Sequence, residues 1–574
     1  MGVCGTFALA RVGRTGHRHA RGRLTSRGTD RMGRPLMKGS FRLSMQWLHT
    51  WAGVCAGWII FLIFFNGTAA YFKQEISTWM KPEIAAAIDP VKSVDGAVAF
   101  LRTKAPDAGA WIIHVPNERN PVAEVSWRPR PKPGVAPVEE DDDDDDRIPP
   151  DRRASIDANG HPLAARDTEG GDYFFQFHFA LHYLPVLGLI LVVLASIALM
   201  VALTTGLITH RRIFAEFFTF RPRSGARSWR DAHTTFAVLV LPFHLMITYT
   251  GVGILVFFLM PWALFAHYPN PQGFYAELVS HPRAEAPSGH SAPLVPLTLV
   301  LRQAEMIWNG GHAETIRISN PGDDTATIQV DRQTHDLVPG AGNSLTFNAI
   351  SGALVQTSPA PNAAATAATA VFGLHQARFA RPELRWLLFL CGLAGTAMVA
   401  TGLLLWTAKR KRNLLNPEYG SRGFKLVETL NVVVIAGYPA STAAYFWANR
   451  LLPLSIPSRA NAEVLCAFAC WGALLAWSVR RPKRRAWIEV LGATAFLFLA
   501  LPFVNAETAS RGTLANLLQG DVLYLAFDGV TLALGVFFAA CALWLRFRRA
   551  ENDLPPAWRE QRDSIGLSVS RGSK

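Results

Sequence analysis

Residues 45–72 read MQWLHTWAGVCAGWIIFLIFFNGTAAYF, and this stretch decides the fold. Its apolar part is longer than the roughly 20 residues that a helix needs to cross a bilayer. Seven further apolar runs follow along the chain, at 183–209, 236–265, 384–407, 426–447, 464–479, 487–503 and 522–545. The sequence therefore predicts a polytopic α-helical membrane protein with about eight transmembrane helices, the fifth of which is kinked at Pro439.

The composition agrees with a membrane protein that carries water-soluble inserts. Of the 574 residues 50% are hydrophobic and only 17% are charged, which is too apolar for an ordinary soluble enzyme. This balance also excludes a disordered chain, a collagen and a disulfide scaffold. The six cysteines form no CxxC or CxxCH motif, so the sequence contains no thiol-redox pair, zinc ribbon or covalent c-type haem site.

The basic residues indicate how the chain crosses the membrane. Lys and Arg are concentrated in every second loop, and residues 1–44 alone hold ten of them against one acid, Asp30. By the positive-inside rule, these loops and both termini face the cytoplasm. The net charge of +14 is therefore attributed to membrane topology, and no nucleic-acid partner is expected. The alternate loops face outward, which means the periplasm, and an inner (plasma) membrane for the spans, if the host is a Gram-negative bacterium.

Two of the outward loops are too long to be plain connectors. Each begins with a helical pattern that is followed by alternating, strand-like segments. These patterns lie at 91–103, 111–115 and 121–127 in the first loop and at 297–308, 315–319, 325–330 and 345–352 in the second. Each loop is predicted to form a small periplasmic α/β module. Six consecutive aspartates at 141–146 are interpreted as a solvated linker rather than as a cation site.

A helix–module–helix unit is thus expected to occur twice, and the last four helices lack such a module. The predicted segments are a basic, disordered N-terminus (1–40), transmembrane helix 1 (41–72), the first periplasmic module with its acidic linker (73–180), helices 2 and 3 (181–265), the second periplasmic module (266–382), helix 4 (383–412), an appended four-helix membrane bundle (424–546) and a cytoplasmic tail (547–574).

Histidines are the candidate functional residues of the first four helices, because ionisable side chains inside a membrane are usually functional. Seven of them lie in or near these helices: His49, His178, His182, His210, His233, His244 and His375. The predicted helix ends place 49, 210 and 233 in an inner cluster and 178, 182 and 375 in an outer cluster. His244 lies 11 residues after His233, about 16 Å deeper on nearly the same helical face.

Histidine clusters at both faces of a membrane predict two b-type haems, each held by two axial imidazoles from facing helices. Two alternatives remain open. A single histidine at a helix end is often only an interfacial residue, and His178 with His182, at i and i+4, would also suit a transition metal. Glycines near the histidines would leave room for a porphyrin or simply allow close helix packing. They are Gly53, Gly57, Gly206 and Gly251.

Four stretches resemble the PepSY-associated transmembrane-helix family, whose members are often called iron-regulated membrane proteins. They are residues 45–72, quoted above, FFQFHFALHYLP (174–185), GLITHRRIFAEFFTFRPRSGARSWRDAHTTFAVLVLPFHLMITYTGVG (206–253) and GLHQARFARPELRWLLFLCGLAGTAMVATGLLLWTAKRKR (373–412). The resemblance covers residues 41–412 and is weak within the modules, where the six-aspartate run departs from the family pattern. It implies that both modules are PepSY-like. The histidines that fall in the family's motifs are His49, His182, His210, His233, His244 and His375.

The family includes inner-membrane di-haem reductases of ferric siderophores, so the resemblance implies a membrane-bound ferric-chelate oxidoreductase. We expect His182 or His178 to pair with His375, and His49 to pair with His233, with His210 as the competitor. The metal ligands favoured from this pairing are His49, His182, His233 and His375. No residue is assigned a catalytic role in bond making.

The expected partners are a ferric siderophore or another ferric chelate, a cytoplasmic electron donor or quinol, and the lipid bilayer. The sequence has no GxGxxG, P-loop or flavin fingerprint, so the donor must be a separate molecule. Two other functions are weighed: a haem-free PepSY-type regulator or binder of a periplasmic peptidase, and a component of a siderophore or iron permease. Haem content separates the first alternative from a reductase, and broken helices with polar groups at the midplane would favour the second.

Overall fold

The computed structural model describes residues 35–84, 89–130, 148–210, 221, 225–259, 262–267, 285–333, 344–358, 363–411, 422–509, 516–518 and 520–547. The predictions made for residues 1–34, for the aspartate run at 141–146 and for the tail from residue 548 lie outside the described residues.

Helices dominate the described chain. In chain order they are α1 (Pro35–Ala70), α2 (Lys73–Met80), α3 (Pro90–Lys104), α4 (Asp172–Ala180), α5 (Pro185–Thr209), α6 (Ala226–Leu239), α7 (Leu241–Leu259), α8 (Trp262–His267), α9 (Leu297–Ile307), α10 (Ala363–Gln376), α11 (Pro382–Lys411), α12 (Arg422–Asn431), α13 (Tyr438–Leu451), α14 (Arg459–Arg480), α15 (Lys483–Thr508) and α16 (Val522–Phe547). A π-helical turn, Val432–Gly437, joins α12 to α13.

The eight predicted spans are present in the described residues. Seven stretches are long and apolar enough to cross a membrane as single spans, and the bent pair α6–α7 makes an eighth when it is counted as one. The single spans are α1, α5, α11, the continuous α12–α13, α14, α15 and α16. The chain is therefore a multi-pass membrane protein, as the apolar runs predict.

The third span is not one straight helix. The axes of α6 and α7 differ by 71°, and the break falls between Leu239 and Leu241. Pro242 explains the break, because proline fits the first turn of a helix but cannot continue one that arrives from before it. His233 lies on α6 and His244 on α7. The expectation that these two histidines share one helical face is therefore wrong.

The fifth span runs through Pro439 as one continuous helical stretch. Pro439 lies in the first turn of α13, directly after the π-helical turn Val432–Gly437. The wider π turn relieves the clash between the proline ring and the preceding carbonyl groups. The predicted kink at Pro439 thus coincides with a local change of helix type.

The two water-soluble segments form one sheet together. The strands are β1 (Ala108–His114), β2 (Ala123–Pro129), β3 (Arg153–Ile156), β4 (Ala313–Ser319), β5 (Thr327–Arg332), β6 (Ser344–Asn348) and β7 (Leu354–Thr357). They are ordered β3-β2-β1-β4-β5-β6-β7, and every neighbouring pair is antiparallel. β1 of the first segment pairs with β4 of the second, with Trp111 opposite Ile318. The two predicted α/β modules therefore share one seven-stranded sheet.

One core holds this sheet and its helices together. Side chains of α3 and α9, such as Leu101 and Val300, pack on alternate residues of the strands, such as Ile113 and Ile316. All four side chains are at most 1% exposed. A half-sheet with one helix buries little apolar surface, and an unpaired central edge would stay open. Joining β1 to β4 removes that edge and doubles the core.

Two short helices lie beside the spans on the side of the bundle that carries the sheet. α4 packs against α1, and α10 packs against α7. α4 ends at Ala180, and Leu181 and His182 then take left-handed backbone conformations with φ of 52° and 62°. His178 and His182 are therefore not at the start of the second span, as expected from the sequence, but on α4 and in the turn that follows it.

Candidate functional site

A first pair of histidines lies at the end of the bundle that is far from the sheet, and we call it the sheet-distal pair. His49 on α1 and His233 on α6 have ring centres 6.2 Å apart and ring planes at 65°. His49 donates through Nδ1 to the carbonyl oxygen of Ala202 at 2.8 Å. His233 donates through Nδ1 to the carbonyl oxygen of Met398, also at 2.8 Å.

A second pair, the sheet-proximal pair, joins His178 on α4 to His375 on α10. Their ring centres are 5.9 Å apart and their planes are at 36°. His178 donates through Nδ1 to the carbonyl oxygen of Ile63 at 2.8 Å. The Nδ1 of His375 is 3.0 Å from Oγ1 of Thr250, whose hydroxyl donates to the Met246 carbonyl. Thr250 therefore accepts its hydrogen bond from His375.

These hydrogen bonds fix the tautomer of all four imidazoles. When Nδ1 carries the proton in a neutral ring, the lone pair is on Nε2, which is the usual arrangement of a metal-binding histidine. Burial lowers the pKa of His178, and it lowers the pKa of His375 to about 3. Both rings of the sheet-proximal pair are therefore neutral at pH 7 and able to bind a metal ion.

A glycine lies against each imidazole of the two pairs. A Cβ atom on any of these glycines would come within 3.2 Å of the ring, so a larger residue would displace the histidine. The contacts are Gly206 with His49 (3.2 Å), Gly402 with His233 (3.0 Å), Gly67 with His178 (2.6 Å) and Gly251 with His375 (2.9 Å). Of the glycines noted in the sequence, Gly53 has no neighbour within 4 Å and Gly57 contacts Leu403, so neither adjoins a histidine ring.

The two halves of the core build these sites with equivalent residues. A separation of 184 residues relates His49 to His233, Ile63 to Ile247 and Gly67 to Gly251. A separation of 196 residues relates Ala202 to Met398 and Gly206 to Gly402. Each histidine pair thus takes one member from each copy of the duplicated unit that the sequence predicts.

The spacing within each pair fits one metal ion between two opposed imidazoles. With each nitrogen at about 2.0 Å from the ion, and a ring radius of about 1.1 Å, the ring centres would be about 6.2 Å apart. The observed separations are 6.2 Å and 5.9 Å. Among the described residues there is no group of three or more His, Cys, Asp or Glu side chains that could hold an ion. Each pair therefore suits a metal ion whose remaining ligands belong to a bound group and not to the protein.

The two pairs lie at different depths in the bundle. His49 precedes Ile63, the hydrogen-bond partner of His178, by 14 residues of the continuous helix α1. At 1.5 Å per residue this separation corresponds to about 21 Å along the helix axis. The pairs therefore lie near opposite ends of the membrane-spanning core.

His244 belongs to neither pair. Its side chain is fully buried against Phe64 on α1, with ring centres 5.9 Å apart, and near Gly395 on α11. Neither ring nitrogen has a hydrogen-bond partner among the described residues, and the same holds for the hydroxyl of Thr248 one turn later. Buried polar atoms without partners are rare enough in folded proteins to need an explanation.

The remaining two candidate histidines are outside the pairs. His182 binds Glu169, with Nε2 and Oε2 2.8 Å apart, and His178 rather than His182 faces His375. His210 follows the last residue of α5, and its backbone N–H donates to Gly206. His233 rather than His210 faces His49.

Sequence reasoning missed a charged cluster on the sheet side of the bundle. Glu75 on α2 binds both Arg119, from the loop between β1 and β2, and Arg385 on α11. It also missed that Gly67 and Gly402 adjoin histidine rings and that Thr250 accepts a hydrogen bond from His375. The recurring sequence feature is a helical residue that offers its backbone carbonyl, followed four positions later by a glycine. Only the fold shows which histidine lies against that glycine.

One comparison with known proteins gives a match. The family model described as the PepSY-associated TM region matches residues 46–409, which is more than half of the chain. This range contains α1 to most of α11, the shared sheet and both histidine pairs. No curated protein matches the chain.

Proposed function

Since the chain belongs to the family of the PepSY-associated TM region, we propose that it is a di-haem electron-transfer protein that reduces ferric siderophores or other ferric chelates. The electrons would come from a cytoplasmic donor or from quinol, and the chelate would be reduced on the sheet side, in the periplasm of a bacterial host. In this proposal the protein is a ferric-chelate oxidoreductase of the inner membrane.

The observation that carries the proposal is the repeated pair of histidines. His49 with His233 and His178 with His375 each have the ring separation of two imidazoles on one metal ion. A bound b-type haem would supply four porphyrin nitrogens and one-electron transfer at its iron, so each site needs only two side chains from the chain. Two such sites about 21 Å apart along α1 suit electron transfer across a membrane.

The chain's own contribution is to orient the ligands and exclude water. Each Nδ1 is held by a carbonyl or a hydroxyl, which points Nε2 in a fixed direction, as seen for His49 on Ala202 and His178 on Ile63. Neighbouring helices leave each of the four histidines only partly exposed. Such outer hydrogen bonds raise the basicity of the ligand and restrict its rotation.

The sheet-distal end offers a surface for an electron donor. The guanidinium of Arg410 lies 5.8 Å from the ring centre of Trp51 and 3.8 Å from that of Trp406. Trp51 follows His49 by two residues and is 40% exposed. A cation over aromatic rings favours an anionic or aromatic donor such as a reduced flavin or a quinol.

At the other end the substrate would gain one electron. Siderophores bind iron through hard oxygen donors, which hold Fe(III) more tightly than the larger and less charged Fe(II). Reduction of the bound Fe(III) to Fe(II) would therefore weaken the chelate and release iron.

An optical spectrum of the full-length protein in detergent, before and after dithionite, tests the proposal, together with a pyridine haemochrome count. We expect a b-type spectrum with two haems per chain, followed by oxidation of the reduced protein on addition of a ferric chelate. A folded protein from haem-replete cells that contains no haem would refute the reductase function and favour the haem-free binder.

A further inference from the structure

The Arg119–Glu75–Arg385 cluster holds two guanidinium groups around one carboxylate. Glu75 accepts hydrogen bonds from Arg119 through Nε (2.9 Å) and Nη2 (3.1 Å) and from Arg385 through Nη1 (2.6 Å). The side chains of Arg119, Glu75 and Arg385 are only 19%, 20% and 5% exposed. The cluster is therefore a largely buried group of three charges with a net charge of +1.

Among the described residues, no second carboxylate balances this charge. Within the described part of the chain, Glu75 is the one carboxylate within 4 Å of either guanidinium group. The lysines at the two ends of α2 have carboxylate partners of their own, Lys73 with Asp172 and Lys81 with Glu124. An unbalanced buried charge is costly, so a position for a further anion is favoured.

Both arginines keep donors for such an anion. A guanidinium has five N–H donors. Arg119 donates to Glu75 through Nε and Nη2, and Nη2 also donates to the carbonyl of Tyr71 at 3.2 Å. Its Nη1 makes no hydrogen bond within the described residues. Arg385 makes one bond from each Nη atom, the second to the carbonyl of Ala380 at 3.0 Å. A carboxylate is the anion whose two oxygens match this arrangement.

The cluster lies next to the sheet-proximal pair. Tyr71, which Arg119 contacts, follows Gly67 by four residues, and Gly67 lies against His178. Four residues correspond to about 6 Å of helix axis. On the other side, Ala380 follows His375 by five residues. Arg119 therefore contacts the chain four residues after Gly67, and Arg385 contacts it five residues after His375, one in each half of the core.

We propose that Arg119 and Arg385 bind one further carboxylate at this position. The carboxylate would come from a haem propionate or from the ferric chelate, so the inference rests on the proposed function. Glu75 holds the two guanidinium groups together and limits the affinity for the added anion. The site would thus fix either the cofactor or the substrate at the sheet-proximal end.

The experiment uses the full-length protein in detergent with Arg119→Gln, Arg385→Gln and Glu75→Gln, and with Arg102→Gln, an exposed residue of α3, as the control. In the first arm, haem-free protein is titrated with haem b and with its dimethyl ester, which lacks the carboxylates. In the second arm, gallium(III) citrate and a gallium(III) trihydroxamate without carboxylates are titrated by calorimetry, because gallium is not reduced.

If a propionate is bound, the ester should occupy one of the two haem sites at least tenfold more weakly than haem b, about 1.4 kcal/mol. Both arginine variants should abolish this difference. If the chelate is bound, the arginine variants should weaken the binding of gallium citrate at least tenfold and leave the binding of the gallium trihydroxamate unchanged. In either case Glu75→Gln should tighten binding, because it removes the competing negative charge, and Arg102→Gln should have no effect.

The proposal is overturned if the wild type binds haem b and its dimethyl ester with equal affinity and also binds gallium citrate and the gallium trihydroxamate with equal affinity. It is also overturned if Glu75→Gln weakens carboxylate binding as the arginine variants do, because the cluster would then be only a structural clamp. Absence of haem binding in the first arm would refute the proposed function, whereas the gallium arm still tests the arginine site by itself.

Discussion

The imidazole of His178 lies against Gly67 so closely that a Cβ there would stand 2.6 Å from Nδ1. The same Nδ1 donates to the Ile63 carbonyl one turn earlier on α1. This helix turn therefore supplies both the hydrogen-bond acceptor for the ring, at Ile63, and the space for the ring, at Gly67. The equivalent turn of α7, from Ile247 to Gly251, is related to it by the same separation of 184 residues as His49 is to His233.

Replacing Gly67 by alanine should displace His178 and remove the sheet-proximal haem. The added Cβ would overlap Nδ1, so the ring must move and lose its hydrogen bond to Ile63. The pyridine haemochrome count should fall from two haems to one per chain. Gly53→Ala on the same helix is the matched control, because its Cβ would meet no atom within 4 Å. Equal haem content in both variants would contradict this role of Gly67.

Replacing both His178 and His375 by alanine should remove one haem and leave the other. Their rings form the sheet-proximal pair, whereas His49 and His233 form the sheet-distal pair about 21 Å away along α1. His182→Ala should keep two haems, since its ring binds Glu169 and not the pair. If His182→Ala lost a haem and His178→Ala did not, the assignment of the two histidines would have to be exchanged.

Replacing His244 by leucine should stabilise the haem-free protein. The substitution removes two buried nitrogens that lack partners, and each such group costs about 1–3 kcal/mol. Denaturant unfolding in detergent should therefore show a higher free energy of unfolding than in the wild type. Met246→Leu, a half-buried neighbour on α7, is the control for helix packing. Loss of a haem on His244→Leu would instead identify His244 as a ligand.

Stability at low pH should depend on Glu83. Burial alone would raise its pKa, but the hydrogen bond and charge of Arg166 bring the pKa below the ordinary 4.5. A carboxyl group with a lowered folded-state pKa contributes stability above its unfolded pKa and loses it as pH falls through the folded value. The wild type should therefore lose more thermal stability below pH 4.5 than Glu83→Gln does. Identical pH profiles would show that the ion pair contributes nothing.

The sequence predicted what depends on local composition. Spans follow from apolar runs, and the two helix–strand segments follow from periodicity, so α1, α5 and the strands β1 and β4 lie close to their expected positions. The bend in the third span was not predicted, although Pro242 marks the position of the break.

The rest depends on contacts between distant residues. The choice of His178 over His182 follows from a left-handed turn at Leu181 and His182, which periodicity does not reveal. The glycines lie against histidines of other helices, as Gly206 does against His49, so inspection of each helix alone does not show which histidine a glycine adjoins. Likewise, the pairing of β1 with β4 joins residues about 200 positions apart, and no local pattern records it.

The β1–β4 ladder has a consequence for the origin of the protein. One copy of the repeated unit, taken alone, would have an unpaired β1 edge and only one histidine at each depth. Two identical copies related by a two-fold axis would close the sheet and complete both pairs with the same contacts, as in an isologous homodimer. The present chain therefore has the architecture of such a dimer fused into a single gene product, in which each histidine pair straddles the former subunit boundary.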